Sequence, residues 1–287
     1  MNSKLLLAIL LTAFAFTSCS ENDSTTLASS ASKVKITYLA NEGFLIESAG
    51  KRLLIDALFR EGIKPYLNMP ANLREELERS RKPFDRIDLI LASHFHADHF
   101  DPVAVSTHLT HNADALFVST NQAIEKMKSA SANFEAIKER VRGLHPKEGE
   151  RVALTHRGIK LQILNVHHGR NRPIENLGLL WEIGDKRFLH IGDSMANAED
   201  FKSYDVLKDK LDFAFLPYWY FLDADYKKAA RDYIKPRYVV LMHIPDRNIN
   251  DEYMNKLGGW ENWFKQVKSE FPNAIIFDKQ MEEKSFD

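Results

Sequence analysis

One short stretch limits this chain more than any other: Ser93-His94-Phe95-His96-Ala97-Asp98-His99 sets three imidazoles and a carboxylate within six residues. It follows directly on residues 87–92, Ile-Asp-Leu-Ile-Leu-Ala, a mostly apolar run of the length expected for a strand buried on both faces. Asp101-Pro102 then has the N-cap and N1 chemistry of a helix start. The chain therefore reads strand, polar loop, helix, with the cluster on the loop. Neutral imidazole and carboxylate are the usual ligands of zinc and similar divalent ions, and a turning loop aims such closely spaced groups at two neighbouring points. The pattern predicts a metal pair. With 11 histidines in the chain, chance puts three of them and an aspartate on a fixed template with a frequency on the order of 10⁻³.

Around this loop, β-rich runs at 34–39, 44–47 and 52–55, separated by Asn41-Glu42-Gly43 and Gly50-Lys51, predict an opening antiparallel meander. Further strands are expected at 115–119, 160–166, 179–183, 187–191, 213–216, 238–242 and 274–277, and helices at 121–128, 132–141, 224–234 and 252–271. Residues 70–82 read as a charged helix with Asn72 as N-cap and Glu75 as its N3 partner, the charges forming a solvated face. Strands before, between and after helices point to stacked sheets with helices outside, an α+β (α/β) architecture, rather than one strictly alternating parallel sheet. No Pro/Gly/Ser-rich linker interrupts the middle of the sequence, which predicts a single domain over 33–287. The formal charge of −1, from 39 basic and 40 acidic residues, leaves no electrostatic footprint for a phosphate backbone, so nucleic acid is excluded as an expected partner.

The N-terminus is compositionally foreign to the rest. Lys4 provides a positive start, and residues 5–16 are apolar without a charge, the pattern of an export signal. Twelve helical residues span roughly 18 Å against a hydrocarbon core of about 30 Å, too short for a permanent membrane span. Phe16-Thr17-Ser18-Cys19 resembles the end of a bacterial lipoprotein signal, whose cysteine is acylated and becomes the new N-terminus; Phe16 departs from the aliphatic residue usual there. Cys19 is the only cysteine, so the exported domain holds no internal disulfide. The expectation is a signal over 1–18, a flexible Ser/Thr/Ala-rich tether over 19–32, and anchorage at the bacterial cell envelope through lipidated Cys19. A plain export signal with an incidental cysteine is the alternative.

His94, His96, Asp98 and His99 match every defined position of the H-x-H-x-D-H motif of the metallo-β-lactamase superfamily. The resemblance extends over roughly 33–278 in family order: a segment 38–56 ending in Leu-Ile-Asp, Val166-His167-His168-Gly169, Gly192-Asp193-Ser194, and Leu241-Met242-His243. It is nearer to the branch that includes ascorbate-phosphate lactonase-like proteins and N-acyl-phosphatidylethanolamine phospholipases than to true β-lactamases. The resemblance implies a four-layer αββα sandwich. It also implies that His94, His96 and His168 hold one divalent ion, that Asp98, His99 and His243 hold the other, and that Asp193 bridges them. Zinc is the first choice for such a donor set, with manganese or iron as alternatives. A water between the ions, deprotonated near neutral pH, is the implied nucleophile, with Asp98 orienting it. The implied function is hydrolysis of an ester-like bond, lactone or phosphodiester, in a small-molecule or lipid-like substrate.

Several residues carry a second reading. His167 and His168 alternate sides at a strand end; the resemblance favours His168, which precedes Gly169. Asp193 alone would be a turn or N-cap aspartate, and His243 alone a satisfied core histidine. Asp56 is either a turn residue or a group that orients metal ligands. Surface or structural roles suffice for His108, His111, His145, His156 and His190. The run Pro217-Tyr218-Trp219-Tyr220-Phe221 is either core or pocket lining. No H-E-x-x-H, G-x-S-x-G or phosphate-loop motif competes with the cluster. Two alternatives to hydrolysis stand beside it: an iron-dependent redox enzyme on the same fold, and a surface lipoprotein that binds a ligand without turnover.

Overall fold

Side-chain alternation decides the layers of this molecule. The computed structural model describes residues 32–248 and 252–287; the expected export signal, Cys19 and all of the expected tether but its last residue lie outside them. β1 (Val34–Ala40), β2 (Gly43–Ser48) and β3 (Lys51–Ile55) form the expected antiparallel meander. β4 (Leu89–Leu91), β5 (Leu116–Ser119) and β6 (Val141–Gly143) extend it in parallel. The helices α1 (Ala71–Glu78), α2 (Pro102–His111), α3 (Asn121–Ala130) and α4 (Phe134–Ile137) lie in their connections. In the second sheet, β7 (Val152–His156), β8 (Ile159–Asn165), β9 (Leu177–Ile183) and β10 (Lys186–His190) are antiparallel neighbours. β11 (Phe213–Pro217), β12 (Tyr238–Met242) and β13 (Ala274–Ile275) then run parallel to β10. α5 (Ala198–Tyr204), α6 (Ala224–Lys228), α7 (Glu252–Lys256) and α8 (Trp260–Glu270) connect this half. β14 (Glu283–Phe286) returns to pair with β1, giving two seven-stranded sheets.

In β3, β4 and β5 successive side chains point to opposite faces. Leu53, Ile55, Leu89, Leu91 and Val118 face the second sheet and join Ile159, Leu161, Ile163, Trp181 and Phe188 in one core. Leu54, Ile90 and Phe117 face outward and pack with Leu77, Val105, Leu109 and Met127 of the helices. This is the αββα sandwich the resemblance implied. Phe44 of the first sheet meets Phe215 of the second at 4.8 Å between ring centres, and Trp181 stacks on Phe188 at 5.3 Å. Each such side chain contributes about 1.5–3 kcal/mol by leaving water.

Element ends differ from the sequence reading where backbone geometry outweighs composition. The helix expected over 70–82 is α1, and it starts before Asn72: Pro70 is its N-cap with φ of −58°, and no side chain caps it. Proline's fixed φ starts the helix there, which leaves Asn72 and Glu75 inside it and without the capping roles assigned to them. Glu78 also leaves the solvated face, since its carboxylate is buried against Arg60 at 2.6 Å. The helix expected over 252–271 is broken at Gly258 and Gly259, both near φ of 85°. The helix expected over 132–141 is only α4 and one 3₁₀ turn, after which the chain enters β6. β7 and β14 were not expected; both are edge strands, and β7 alternates between half-buried and exposed positions. Among the described residues no helix is long and apolar enough to cross a membrane.

His108 is buried in α2, donating from Nδ1 to the Leu77 carbonyl at 2.6 Å. Burial pulls its pKa from 6.5 down to about 4. The unfolded imidazole takes a proton near pH 6.5 and the folded one only near pH 4, so its contribution is complete above the first value and is lost as pH falls between the two. The loss expected from this group is roughly 3 kcal/mol. Urea titrations between pH 7 and 4 should show it, with a flatter acid limb in His108→Asn; an unchanged limb in that variant refutes the assignment.

Candidate metal centre

The strand directions in the two mixed sheets bring the carboxyl ends of five strands to one edge. Asp56 follows β3, the histidine loop follows β4, His168 lies beyond β8, Asp193 beyond β10, and His243 directly after β12. Asp101 caps α2 as expected, its side chain accepting from Ala104 N at 2.7 Å. Sharp backbone turns aim the donors: Asp56, Gly192 and His243 all have positive φ, at 45°, 54° and 54°. For two non-glycine residues at one site this is unusual and marks a place where surrounding structure fixes the backbone.

Two donor groups converge. His94 Nε2 lies 2.9 Å from His96 Nδ1 and 3.8 Å from Asp193 Oδ2, which is 3.2 Å from His168 Nε2. On the other side Asp193 Oδ1 lies 3.1 Å from His243 Nε2 and 3.3 Å from His99 Nε2, and Asp98 Oδ2 is 3.6 Å from each of those nitrogens. The donor atoms of His94, His96, His168 and Asp193 all lie within 4.8 Å of one another, as do those of Asp98, His99 and His243. Ligand atoms about 2.0–2.2 Å from a shared ion fall within such separations.

A supporting layer holds these groups. Asp56 accepts from Ser93 N at 2.6 Å and Ser93 Oγ at 2.5 Å, and from His99 Nδ1 at 2.9 Å. The last bond leaves His99 Nε2 as the free lone pair facing Asp193, the usual arrangement behind a metal-binding imidazole. Asp56 is therefore more than a turn residue. Asn41 donates to Asp98 Oδ2 at 3.1 Å. His99 Nε2, His243 Nε2, Asp98 Oδ1 and Asp193 Oδ1 are buried and make no hydrogen bond. Orphaned donors and acceptors of this kind are costly unless another partner takes them, and this set suits divalent cations.

The electrostatics agree. Burial lowers the pKa of His94 and of His96, keeping both imidazoles neutral and able to donate a lone pair. Burial would raise Asp193, but His243 and His99 hold it well below the usual carboxylate range. Burial would lower His99, but Asp193 and Asp98 raise it. Metal ions would displace the proton that this field favours on His99.

The adjacent histidines separate clearly. His168 joins the centre, whereas His167 turns away to Asp200 Oδ2 at 3.1 Å, within the capping box that starts α5. His168→Ala is expected to weaken zinc binding by well over the 10-fold typical of losing a supporting group, while His167→Ala keeps the ion. Competition titration with a chelating dye reads the difference, and the reverse ranking contradicts this placement.

A cavity of about 380 Å³ opens onto the donors and is walled by Ile63, Tyr66, Met195 and Trp219, with Arg172 at its edge. The Trp219 ring lies 5.1 Å from His243, and its Nε1 donates to the Ser194 carbonyl at 3.0 Å. Tyr220, by contrast, is buried in the core and bonds to the Ala196 carbonyl. The aromatic run thus serves both purposes that sequence allowed. Tyr66, whose ring lies 3.9 Å from His243, had no sequence signal. Nor did Glu42, buried beside His99 and His190. A larger groove of about 660 Å³, lined by Lys33, Lys51 and Arg86 among others, lies by the opposite ends of β1 and β3 and holds none of the donors.

Residues 51–244 match the family model described as the β-lactamase superfamily domain. The chain is 27% identical over 214 residues to a UPF0173 metal-dependent hydrolase of Nanoarchaeum equitans, covering 73% of this chain and 83% of that relative. Its fold is similar to a metallo hydrolase from the archaeon Ignicoccus hospitalis, with TM-score 0.58, 20% identity, and coverage of 89% of this chain and 99% of that one. It is also similar to CmlA, a diiron β-hydroxylase from Streptomyces venezuelae, with TM-score 0.55, 14% identity, and coverage of 89% and 54%.

Proposed function

Because this chain belongs to the metallo-β-lactamase superfamily and is a metal-dependent hydrolase, we propose that it cleaves an ester-like bond, lactone or phosphodiester, with two divalent ions. The observation that carries this reading is the position of Asp193, whose Oδ2 faces His168 at 3.2 Å while its Oδ1 faces His243 at 3.1 Å. One carboxylate thus presents an oxygen to each donor group. His94, His96 and His168 would hold one ion and Asp98, His99 and His243 the other. Ions held there supply an acidified water and polarise the oxygen of the bond under attack.

The protein's own groups do the rest. Ser93 and Asp56 fix His99, so its Nε2 stays aimed at the centre without rotamer loss. Asn41 fixes Asp98 through Oδ2, which leaves buried Oδ1 as the acceptor that orients the attacking water and takes its proton. Tyr66 and Trp219 exclude solvent from the face of His243. Ile63 and Met195, 45% and 40% exposed, give the mouth an apolar rim, and Arg172 adds one cation at its edge. Such a mouth suits a substrate with an apolar portion and an acidic group.

The test is an assay of the metal-loaded protein against aryl phosphodiesters, lactones and a β-lactam as comparison. Turnover of one of the first two, abolished by chelator and restored by zinc or manganese, is expected. A fully loaded protein that turns over neither class rejects the proposed substrate chemistry.

A further inference from the structure

The hairpin joining β1 and β2 turns on Asn41 and Glu42, with Ala40 paired to Gly43. Hairpin tips normally lie in solvent, where water satisfies their polar groups. This one is sealed inside: Asn41 is 1% exposed and Glu42 is 0%. Gly43 permits the seating, because a Cβ there would stand 2.8 Å from the Asp56 carbonyl oxygen. The fold has driven a carboxylate into the interior beside the metal centre.

Neither oxygen of that carboxylate makes a hydrogen bond. Burying a carboxylate without a partner costs several kcal/mol, and burial pushes the Glu42 pKa well up. The nearest imidazoles are committed elsewhere. His99 Nδ1, 3.5 Å from Oε2, donates to Asp56 at 2.9 Å. His190 Nε2, 3.9 Å from Oε2, donates to the backbone carbonyl of Glu42 itself. What does lie within reach is the centre: donor atoms of Glu42, Asp193 and His243 fall within 4.8 Å of one another.

We propose that Glu42 is a third carboxylate of the metal centre, joining Asp98 and Asp193 on the side of His99 and His243, and that it makes the two sides select different ions. The first side then offers three imidazoles and one carboxylate, a nitrogen-rich set suited to zinc. The second offers two imidazoles and three carboxylates, an oxygen-rich set suited to manganese or ferrous iron. The inference rests on the two-ion part of the reading above and is independent of hydrolysis.

The metal-free full-length protein is offered zinc and manganese together, and uptake is followed by elemental analysis and manganese EPR. The wild type is expected to take one of each. Glu42→Gln, close to isosteric, is expected to keep the zinc and bind manganese at least about 10-fold more weakly. Manganese uptake by that variant equal to wild type overturns the proposal while leaving the two-ion reading intact; a wild type that takes a single ion overturns both. Should the variant lose zinc as well, a crystal structure of the manganese-loaded wild type decides. A Glu42 oxygen about 2.2 Å from the ion supports the proposal, and one beyond about 3 Å overturns it. A protein that takes both ions and hydrolyses nothing rejects the substrate chemistry alone.

Discussion

Asp193→Ala is expected to lower turnover by about 10³-fold or more, some 4 kcal/mol of transition-state stabilisation, and to leave the protein with one tightly held ion. Among the described residues, Asp193 is the group whose two oxygens face both donor sets, at 3.2 Å from His168 and 3.1 Å from His243. Two divalent charges held in neighbouring donor sets of a buried site would repel strongly, and a carboxylate between them would offset that repulsion. Without it the remaining imidazoles of the second side face a net positive field. Asp193→Asn separates the two contributions: it keeps the shape and one oxygen but loses the charge, so it should fall between wild type and Ala in metal affinity. The measurements are kcat/KM on whichever ester the wild type turns over, and metal content after dialysis. An Ala variant that keeps both ions and stays within about 10-fold of wild-type rate contradicts the role given to this residue.

Gly192→Ala should cost about 2–5 kcal/mol of stability and impair the centre as well. The residue has φ of 54°, where a Cβ is worth about 1–2 kcal/mol of strain. The added methyl would also stand 2.5 Å from both Ser93 Cβ and Asn176 Oδ1. Neither neighbour is free to move: Ser93 is held by Asp56 at 2.6 and 2.5 Å, and Asn176 donates to the Val166 and Ile191 carbonyls at 2.7 and 2.9 Å. Overpacking of this kind adds about 1–3 kcal/mol. For a domain of this size the change corresponds to a fall in Tm of roughly 4–20 °C, and calorimetry reads it directly. Since relief of the clash requires movement of Ser93 or of the turn carrying Asp193, metal affinity should fall with stability. A variant that melts within about 2 °C of wild type contradicts the packing described here.

Much of this arrangement was legible in the chain because its signals are local. The strand at 89–91 is written as consecutive apolar residues, the helix start at 101–102 as Asp-Pro, and the donors as one dense run between them. Given the family order of landmarks, His168, Asp193 and His243 could be expected near that run, and the structure brings all three to it. The features without a local signal depend on partners distant in sequence. β14 exists because Phe286 pairs with Val34, and nothing in Glu-Lys-Ser-Phe itself asks for a strand. Tyr66 reaches the site because an isolated bridge ties it to Pro245. Glu42 was hidden by its own neighbours: Asn-Glu-Gly reads as an exposed turn, while Asp56, His99 and His190, all distant in sequence, close around it. The cap at Asn72 failed for a local reason, since Pro70 fixed the start of the helix two residues earlier.

The origin of the donors carries a mechanical consequence. His94, His96, Asp98 and His99 hang from the first sheet, whereas His168, Asp193 and His243 hang from the second. Cations held between them would therefore clasp the two halves of the molecule along one rim. At a hundred times the dissociation constant, each such ion adds about 2.7 kcal/mol to folding. Stripping the metal should accordingly loosen the rim first, as faster amide exchange in the turns around Asp56, Ser93 and His243, while the strand centres stay protected.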